Sequence, residues 1–131
     1  MKYDIKPNQS TIFNAPPVTK KEIKAIKIDV FNKTVKPITV NNSLNYIKKY
    51  LDLYKCKILH LEKDTMDCFI VSVDEDEDTK KKPSFRFKGN NPTKHYGNAV
   101  LVKIPKSHDY EKLQNTKVTV QSVLERIEFD D

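Results

Sequence analysis

Two glycines in a chain of 131 residues set the first limit on what this sequence can fold into. Glycine takes positive φ angles more readily than any other residue, so the tight turns of this chain fall largely to Asn and Asp. The loops that cradle phosphates in P-loop and dinucleotide-binding proteins need several glycines within one short stretch. The sequence therefore excludes both kinds of nucleotide-binding loop.

Alternating apolar residues predict that much of the chain forms β-strands. In the stretch EIKAIKIDVF, Ile26, Ile28 and Val30 share one face. The stretch VKPITV follows after a short polar turn, so the two stretches predict a hairpin. Pro37 indicates that its second strand lies at a sheet edge. Further strands are predicted at residues 56–64, 66–74, 84–89 and 97–105.

The stretch NNSLNYIKKYLDLYK predicts the main helix of the chain. Asn42 or Ser43 can cap its N-terminus, because both side chains accept a hydrogen bond from a backbone amide. Tyr46 and Tyr50 flank the predicted buried stripe, and we expect them to cover the edge of the core. The stripe itself recurs at helical spacing and consists of Leu44, Ile47, Leu51 and Tyr54.

Two stretches near the C-terminus carry weaker patterns. The stretch SHDYEKLQN predicts one helical turn, capped by Ser107 with Glu111 near its first turn. The stretch TVQSVLERIEFDD fits a short helix that begins at Thr119, and its ends also fit strands. We favour the helix and keep the strand as the alternative.

Together these patterns predict an α+β fold. We expect a mostly antiparallel sheet of five to six strands with one main helix packed on one face, plus a short C-terminal helix or strand. Residues 21–131 are predicted to form this single α+β domain. Residues 1–20 show no period and contain three prolines, so we expect an N-terminal arm that is partly disordered.

The charges are spread unevenly around a net charge of +6. Residues 74–78 are five consecutive acids. Residues 79–106 hold eight Lys or Arg and no acid, whereas residues 107–131 are net acidic. A long segment with charge of one sign indicates a surface that can attract an oppositely charged partner.

The acidic run begins like a calcium-binding loop but does not continue as one. Its alternate aspartates have the spacing of the first three ligands. Thr79 stands where the loop needs Gly, and Phe85 stands where it needs Glu. We therefore interpret the run as the tip of a hairpin, in which strand 69–73 leads out and strand 84–89 returns.

The sequence contains no motif for a metal site or for catalysis. Its His and Cys residues show neither the CxxC nor the HxxxH spacing of zinc sites. Ser, His and Asp are neighbours at 107–109, but a catalytic triad is assembled in space and not along the sequence. The prediction is a protein that is not an enzyme, with no metal, no cofactor and no catalytic residues.

Bases alternate with aromatic residues in 79–106, which suits nucleic acid because cations neutralise phosphates while aromatic faces stack on bases. On the predicted strand, Phe85 and Phe87 share one face, and Arg86 and Lys88 share the other. If both phenylalanines point to the core, the alternative is a charged face that only water contacts. The predicted nucleic-acid-binding residues are Lys80, Lys81, Lys82, Arg86, Lys88, Lys94, His95 and Tyr96.

Cys56 and Cys68 are predicted on neighbouring strands, so the sequence allows a disulfide, although we favour buried free thiols in a reducing compartment. No apolar run approaches the ~20 residues of a membrane span. The N-terminal stretch also lacks the apolar block of a signal peptide. We expect a cytoplasmic protein that does not contact membranes.

The stretches KIDVFNKTVKPITV, NNSL and VSVDEDED give a strand, a turn, a second strand, an Asn-Ser-Leu helix start and an acidic turn. This order resembles a small domain family of unknown function carried by phages, plasmids and conjugative elements. The stretch GNAVLVKI is similar to a later strand of that family, so the resemblance covers roughly residues 24–104. The family has no assigned catalytic residues, and the resemblance implies an accessory protein of a virus or mobile element.

The function we expect is that of a non-enzymatic accessory protein of a phage or mobile element, in the host cytoplasm if viral. It would contact nucleic acid through the basic surface at 79–106. One alternative is a protein-binding module, either an inhibitor of a host factor or a structural component of a viral particle. That module would use the acidic residues 74–78 and 125–131. The other alternative is a binder of a small ligand such as a nucleotide, near Tyr46, Lys49 and Tyr50.

Overall fold

The computed structural model describes residues 21–62, 64–73, 77–89 and 93–130. The predicted arm at 1–20 and the acids at 74–76 lie outside these residues. None of the helices in the described ranges is long and apolar enough to span a membrane. The strands in these ranges are β1 Glu22–Asp29, β2 Thr34–Asn41, β3 Cys56–His60, β4 Asp67–Ser72, β5 Ser84–Phe87, β6 His95–Tyr96, β7 Ala99–Lys103 and β8 Ile127–Phe129. The helices are α1 Leu44–Tyr50, α2 Glu77–Lys80 and α3 Val120–Leu124.

The strands of the described ranges form two antiparallel sheets. The larger sheet has the order β2-β1-β7-β4-β3, and the smaller sheet has the order β6-β5-β8. The predicted α+β class with mostly antiparallel pairing is confirmed. The strands are divided between two sheets where one sheet was predicted, and the helices of these ranges are three short segments.

The hairpin predicted from EIKAIKIDVF and VKPITV is present, and the strands predicted at 56–64 and 66–74 pair as a second hairpin. β1 pairs with β2 in a register that sets Ile26 opposite Pro37, and β2 lies at the edge of the sheet. β3 pairs with β4 and forms the other edge. The edge position inferred from Pro37 is therefore confirmed.

The central strands β4 and β7 of the larger sheet are buried on both faces. On β4, Ile70 belongs to the core that contains Ile47 of α1, and we call this face the helix side. Phe69 belongs to the core that contains Phe85 of β5, and we call this face the sandwich side. The runs CFIV and AVLV fit this arrangement, because a strand buried on both faces has a continuous apolar run.

The predicted hairpin between strand 69–73 and strand 84–89 is wrong. β5 pairs with β6 and β8 in the smaller sheet, and β4 pairs with β3 and β7 in the larger one. The reason is packing, because the rings of Phe85 and Phe69 lie 6.1 Å apart across the sandwich side. β5 therefore covers the face of β4 and does not extend its sheet, and α2 lies in the connection between them.

Helix α1 begins at Ser43, one of the two predicted caps. The Ser43 hydroxyl oxygen accepts a hydrogen bond from the backbone amide of Tyr46 at 3.4 Å. Ile47 is fully buried, and Leu44 and Leu51 pack against the helix-side core. These side chains attach the helix to the larger sheet.

Helix α1 ends earlier than predicted, and its last turn determines where Tyr54 lies. Asp52 adopts a positive φ of 56°, and its amide donates to the carbonyl of Lys49 at 3.0 Å. The amide of Leu53 donates to the carbonyl of Lys48 at 2.8 Å, which completes a Schellman motif. The chain leaves the helical path there, so the prediction that Tyr54 is buried is wrong, and its side chain is exposed.

The stretch SHDYEKLQN forms turns and not the predicted helical turn. His108 has a φ of 59°, which a right-handed helix does not allow. The stretch instead bonds to the start of α1. The amide of Leu44 donates to the carbonyl of Tyr110 at 2.8 Å, and the hydroxyl of Ser43 donates to Glu111 at 2.8 Å.

The C-terminal segment contains both predicted alternatives, a short helix and then a strand. Thr119 caps α3 by accepting a hydrogen bond from the amide of Ser122 at 3.1 Å, and β8 follows. Val123 and Ile127 are buried on the sandwich side. The segment therefore helps the smaller sheet to cover β4 and β7.

Tight turns use both glycines of the chain. Gly89 and Gly97 have φ angles of 101° and 82°. The expectation that Asn and Asp take the other turns holds at Asp52, whereas Lys33 and His108 also have positive φ.

The turn between β1 and β2 is held by Asp29, which is buried. Its carboxylate accepts hydrogen bonds from the amides of Phe31 and Asn32, both at 3.1 Å, and from the Asn32 side chain at 2.8 Å. The Asn32 side chain is the main cause that lowers the pKa of Asp29, and burial opposes it. Backbone amides and the charge of Lys27 lower this pKa further.

We expect Asp29→Ala to lower the free energy of unfolding by about 2 kcal/mol, because the variant cannot form the three hydrogen bonds to a charged acceptor. The pKa of Asp29 is lowered in the folded protein, so this stabilisation is fully present above pH 3.8, the ordinary pKa, and is lost progressively as the pH falls from there through the lowered pKa of the folded protein. Urea unfolding of both proteins at neutral pH and near pH 3 measures the effect. A difference between them that is the same at both pH values would contradict this account.

Candidate nucleic-acid interface

Lys80, Lys81 and Lys82 are exposed at the end of α2 and in the turn after it. The Lys81 Nζ lies 3.8 Å from a carboxylate oxygen of Asp78. Both side chains of this pair face solvent, which screens their attraction. A polyanion can therefore approach these lysines without displacing a buried partner.

Arg86 lies between two carboxylates. Its Nη2 is 2.8 Å from Glu128 Oε1, and its Nε is 3.1 Å from Asp130 Oδ1. Asp130 also accepts a hydrogen bond from the hydroxyl of Ser84 at 3.0 Å. A guanidinium that bridges two carboxylates has little charge left for a phosphate, so Arg86 holds β5 against the chain end.

His95 and Tyr96 form the short strand β6, which pairs with β5. His95 is buried, with its ring centroid 5.4 Å from that of Phe85 and 5.7 Å from that of Phe87. Tyr96 is half-buried, and its carbonyl accepts a hydrogen bond from the hydroxyl of Ser72 at 2.7 Å. The aromatic residues of the basic segment therefore serve mainly as core.

Lys88 and Lys94 are exposed at the ends of β5 and β6. The Lys88 amide donates to the carbonyl of Arg126 at 2.9 Å, which sets these two cationic residues side by side. Lys94 directly precedes β6. Lys88 and Lys94 are therefore exposed beside the smaller sheet, whereas Lys80, Lys81 and Lys82 belong to α2 and the turn after it.

A cleft of about 670 Å³ opens between the two sheets beside β3. We call it the sheet cleft, and its volume lies in the ~300–1,000 Å³ range of ligand sites. Leu59, Leu61 and Phe87 give it an apolar wall. The charged side chains on its lining are Lys57, Lys88, Glu125 and Arg126, and the others are His60, Thr93 and His95.

A smaller hollow of about 220 Å³ lies where α1 ends. We call it the helix-end hollow. Tyr54 and Lys55 line it from the segment after α1, and Thr79 and Lys82 line it from α2 and the turn beyond. The hollow therefore joins the main helix to the lysines of the basic segment.

The two hollows follow one another along β3. The helix-end hollow includes Lys55, just before β3, and the sheet cleft includes side chains of β3 from Lys57 onward. We call both hollows together the edge groove, and the five residues of β3 alone give it a length of ~16 Å. Among the described residues, its lining contains the cations Lys55, Lys57, Lys82, Lys88 and Arg126 and the carboxylates Asp52 and Glu125.

Sequence reasoning did not identify Lys55, Lys57 or Arg126 as site residues. Lys57 alternates with apolar residues on β3. This strand was predicted, but its position at the edge of the sheet was not. Arg126 lies in a segment that is net acidic, and its Nη1 pairs with Glu62 at 2.9 Å across the end of the sheet cleft. Only the assembled fold brings these cations beside Lys82 and Lys88.

The small-ligand alternative has its own hollow, of about 190 Å³, lined in part by Tyr46 and Lys49. This volume is below the range of ordinary ligand sites. The rings of Tyr46 and Tyr50 are nearly parallel at 6.5 Å, and Lys27 Nζ lies 5.2 Å from the Tyr50 ring centroid. The helix-end hollow is of similar size, and the edge groove is favoured because it also contains the sheet cleft, whose volume lies in that range.

Both cysteines are free thiols, as the sequence analysis favoured. Burial raises the pKa of Cys68 to about 11, with the Asp67 charge as a second cause, and burial also raises the pKa of Cys56. Thiols of this kind are poor nucleophiles at neutral pH. Across the described ranges, no three His, Cys, Asp or Glu side chains gather as metal ligands.

Comparison with known proteins gives no match for this chain, whether with protein-family models, with curated proteins or with solved structures. The resemblance to a domain family of phages and plasmids therefore stays a prediction. The candidate site rests on its own geometry and charge.

We expect Arg86→Ala to lower the free energy of unfolding by about 1–2 kcal/mol, because Asp130 is only 13% exposed and is left without its cationic partner. Lys94→Ala, which removes an exposed cation from the same sheet, is the matched control, and it should change stability by no more than about 0.5 kcal/mol. Urea unfolding of both variants tests this. Equal effects would mean that the Arg86 pairs contribute nothing.

Proposed function

We propose that the protein is a non-enzymatic binding protein that contacts nucleic acid along the edge groove. One observation supports this most. Among the described residues, the edge groove brings together five cations from separate segments of the chain and two carboxylates, and a third carboxylate, that of Glu62, pairs with Arg126. Lys82 and Lys88 belong to the predicted surface, and the fold adds Lys55, Lys57 and Arg126 to them.

The groove suits a chain of phosphates better than one compact anion. Its cations come from β3 and the residue before it, from the turn after α2 and from the residues that follow β5 and α3, so they are spread over several segments and not gathered around one point. Lys80, Lys81 and Lys94 stand outside the two hollows and extend the positive surface beyond them. Every phosphate that a lysine neutralises releases counterions, so the affinity should fall steeply with salt.

The biological setting follows from the sequence resemblance alone. We propose an accessory protein of a phage or mobile element that acts in the host cytoplasm. A small protein of this kind can act by occupying nucleic acid that another protein needs.

A protein partner is the second candidate, and the position of β3 favours it. β3 is the outer strand of the larger sheet in the described part of the chain, and an exposed edge can pair with an extended peptide. The acidic tail is a weaker contact, because Glu128 and Asp130 already pair with Arg86.

We expect the double variant Lys82→Glu/Lys88→Glu to bind labelled oligonucleotides at least about tenfold more weakly than the unmodified protein at ~0.1 M salt. Fluorescence anisotropy across a salt series, with single- and double-stranded DNA and RNA, measures this. The slope of log affinity against log salt should also become shallower by ~0.7 for each phosphate of a single strand that is no longer neutralised.

The matched control is Lys24→Glu/Lys36→Glu, which makes the same change of charge on exposed residues of β1 and β2. These strands lie at the opposite edge of the larger sheet from β3. Equal losses of affinity in the two double variants would show attraction by net charge only and would contradict a site in the groove. Absence of binding by the unmodified protein at ~0.1 M salt would reject the proposed function.

A further inference from the structure

Tyr54 is an aromatic side chain that the fold leaves uncovered. Its side chain is 87% exposed, the highest value among the large apolar side chains of the described residues. An aromatic ring contributes most to stability when it is buried. This ring therefore contributes little to the fold in its present position.

The Schellman turn at the end of α1 places Tyr54 where it is. A continued helix would carry this residue onto the same face as Ile47 and Leu51, which contact the helix-side core. The positive φ of Asp52 diverts the chain before that happens. The residue is thus directed away from the core, and it belongs to the lining of the helix-end hollow together with Lys55 and Lys82.

An exposed ring beside two lysines combines two kinds of interaction that single-stranded nucleic acid uses. The ring face stacks on a base, and the ammonium groups hold the phosphates on either side. The other rings of the edge groove are those of His60, His95 and Phe87. His95 is buried, Phe87 packs against the sandwich-side core, and the Nδ1 of the exposed His60 lies 2.8 Å from the carbonyl oxygen of Thr65. Of the two Phe and Tyr residues that line the groove in the described ranges, Tyr54 is the exposed one.

We propose that Tyr54 stacks on an unpaired base and that the ligand of the edge groove is single-stranded nucleic acid. This inference rests on the proposed function and adds the class of nucleic acid. In a duplex the faces of a base are covered by its neighbours, so a ring at the groove can stack only where a base is unpaired.

The first test uses tryptophan fluorescence, because the chain contains no Trp. Tyr54→Trp introduces a single reporter at the groove. Phe31→Trp is the matched control, since Phe31 is 59% exposed and lies in the turn between β1 and β2. Titration with a single-stranded oligonucleotide of about 10 nucleotides should quench the fluorescence of Trp at position 54 and leave that at position 31 nearly unchanged.

The second test separates stacking from charge. Tyr54→Ala should weaken single-strand binding about fivefold or more and leave the salt slope unchanged, because the same phosphates remain neutralised. Tyr54→Phe keeps the ring and should bind like the unmodified protein. Folding is not in question for these variants, because the side chain is almost fully exposed.

The outcomes distinguish this inference from the proposed function. If Tyr54→Ala binds single strands normally while Lys82→Glu/Lys88→Glu does not, Tyr54 does not stack, and the groove still binds nucleic acid. If Tyr54→Ala weakens duplex and single strand equally, the assignment to single strands is wrong. If the unmodified protein binds neither form, both proposals are rejected together.

Discussion

The burial of both faces of β4 and β7 is the constraint on which the rest of the structure depends. A pair of strands that is apolar on both faces needs cover on both sides. Burying a side chain such as Phe69 or Leu101 stabilises the fold by ~1.5–3 kcal/mol. The free energy gained by burying a few such side chains on the sandwich side equals the net free energy of unfolding of a small domain, which is ~5–15 kcal/mol. This explains why β5 leaves the larger sheet and covers its face.

The edge groove is a consequence of unequal sheets. The smaller sheet has three strands and covers a sheet of five, and its cover stops short of the outer side of β3. Leu59 and Leu61 of this region line the sheet cleft and are only partly buried. Lys57 and Lys88 line the same cleft. Because the cleft already lies open between the two sheets, a ligand there would not require the fold to open.

The sequence predicts local pairing well and long-range assembly poorly. Alternation predicts the strands and two hairpins, and the cap at Ser43 marks the start of α1. Alternation of apolar residues does not predict which element covers a given face of a sheet, so the smaller sheet was not predicted. The continuous apolar runs CFIV and AVLV do indicate that β4 and β7 are covered on both faces. The order of charges along the chain does not predict which charges form ion pairs. The carboxylates that pair with Arg86 lie some forty residues away in the sequence. The same holds for His95, which packs inward, and for Lys57, which the fold brings to the groove.

The proline on β2 gives the two edges of the larger sheet different capacities for self-association. Pro37 has no amide hydrogen, so a strand from another copy cannot form a full ladder along β2. β3 carries no proline and keeps a complete set of backbone donors. Edge-to-edge addition between copies is therefore easier at β3 than at β2, where Pro37 would interrupt the ladder. Growth of the larger sheet into a fibre needs both edges, so Pro37 opposes it.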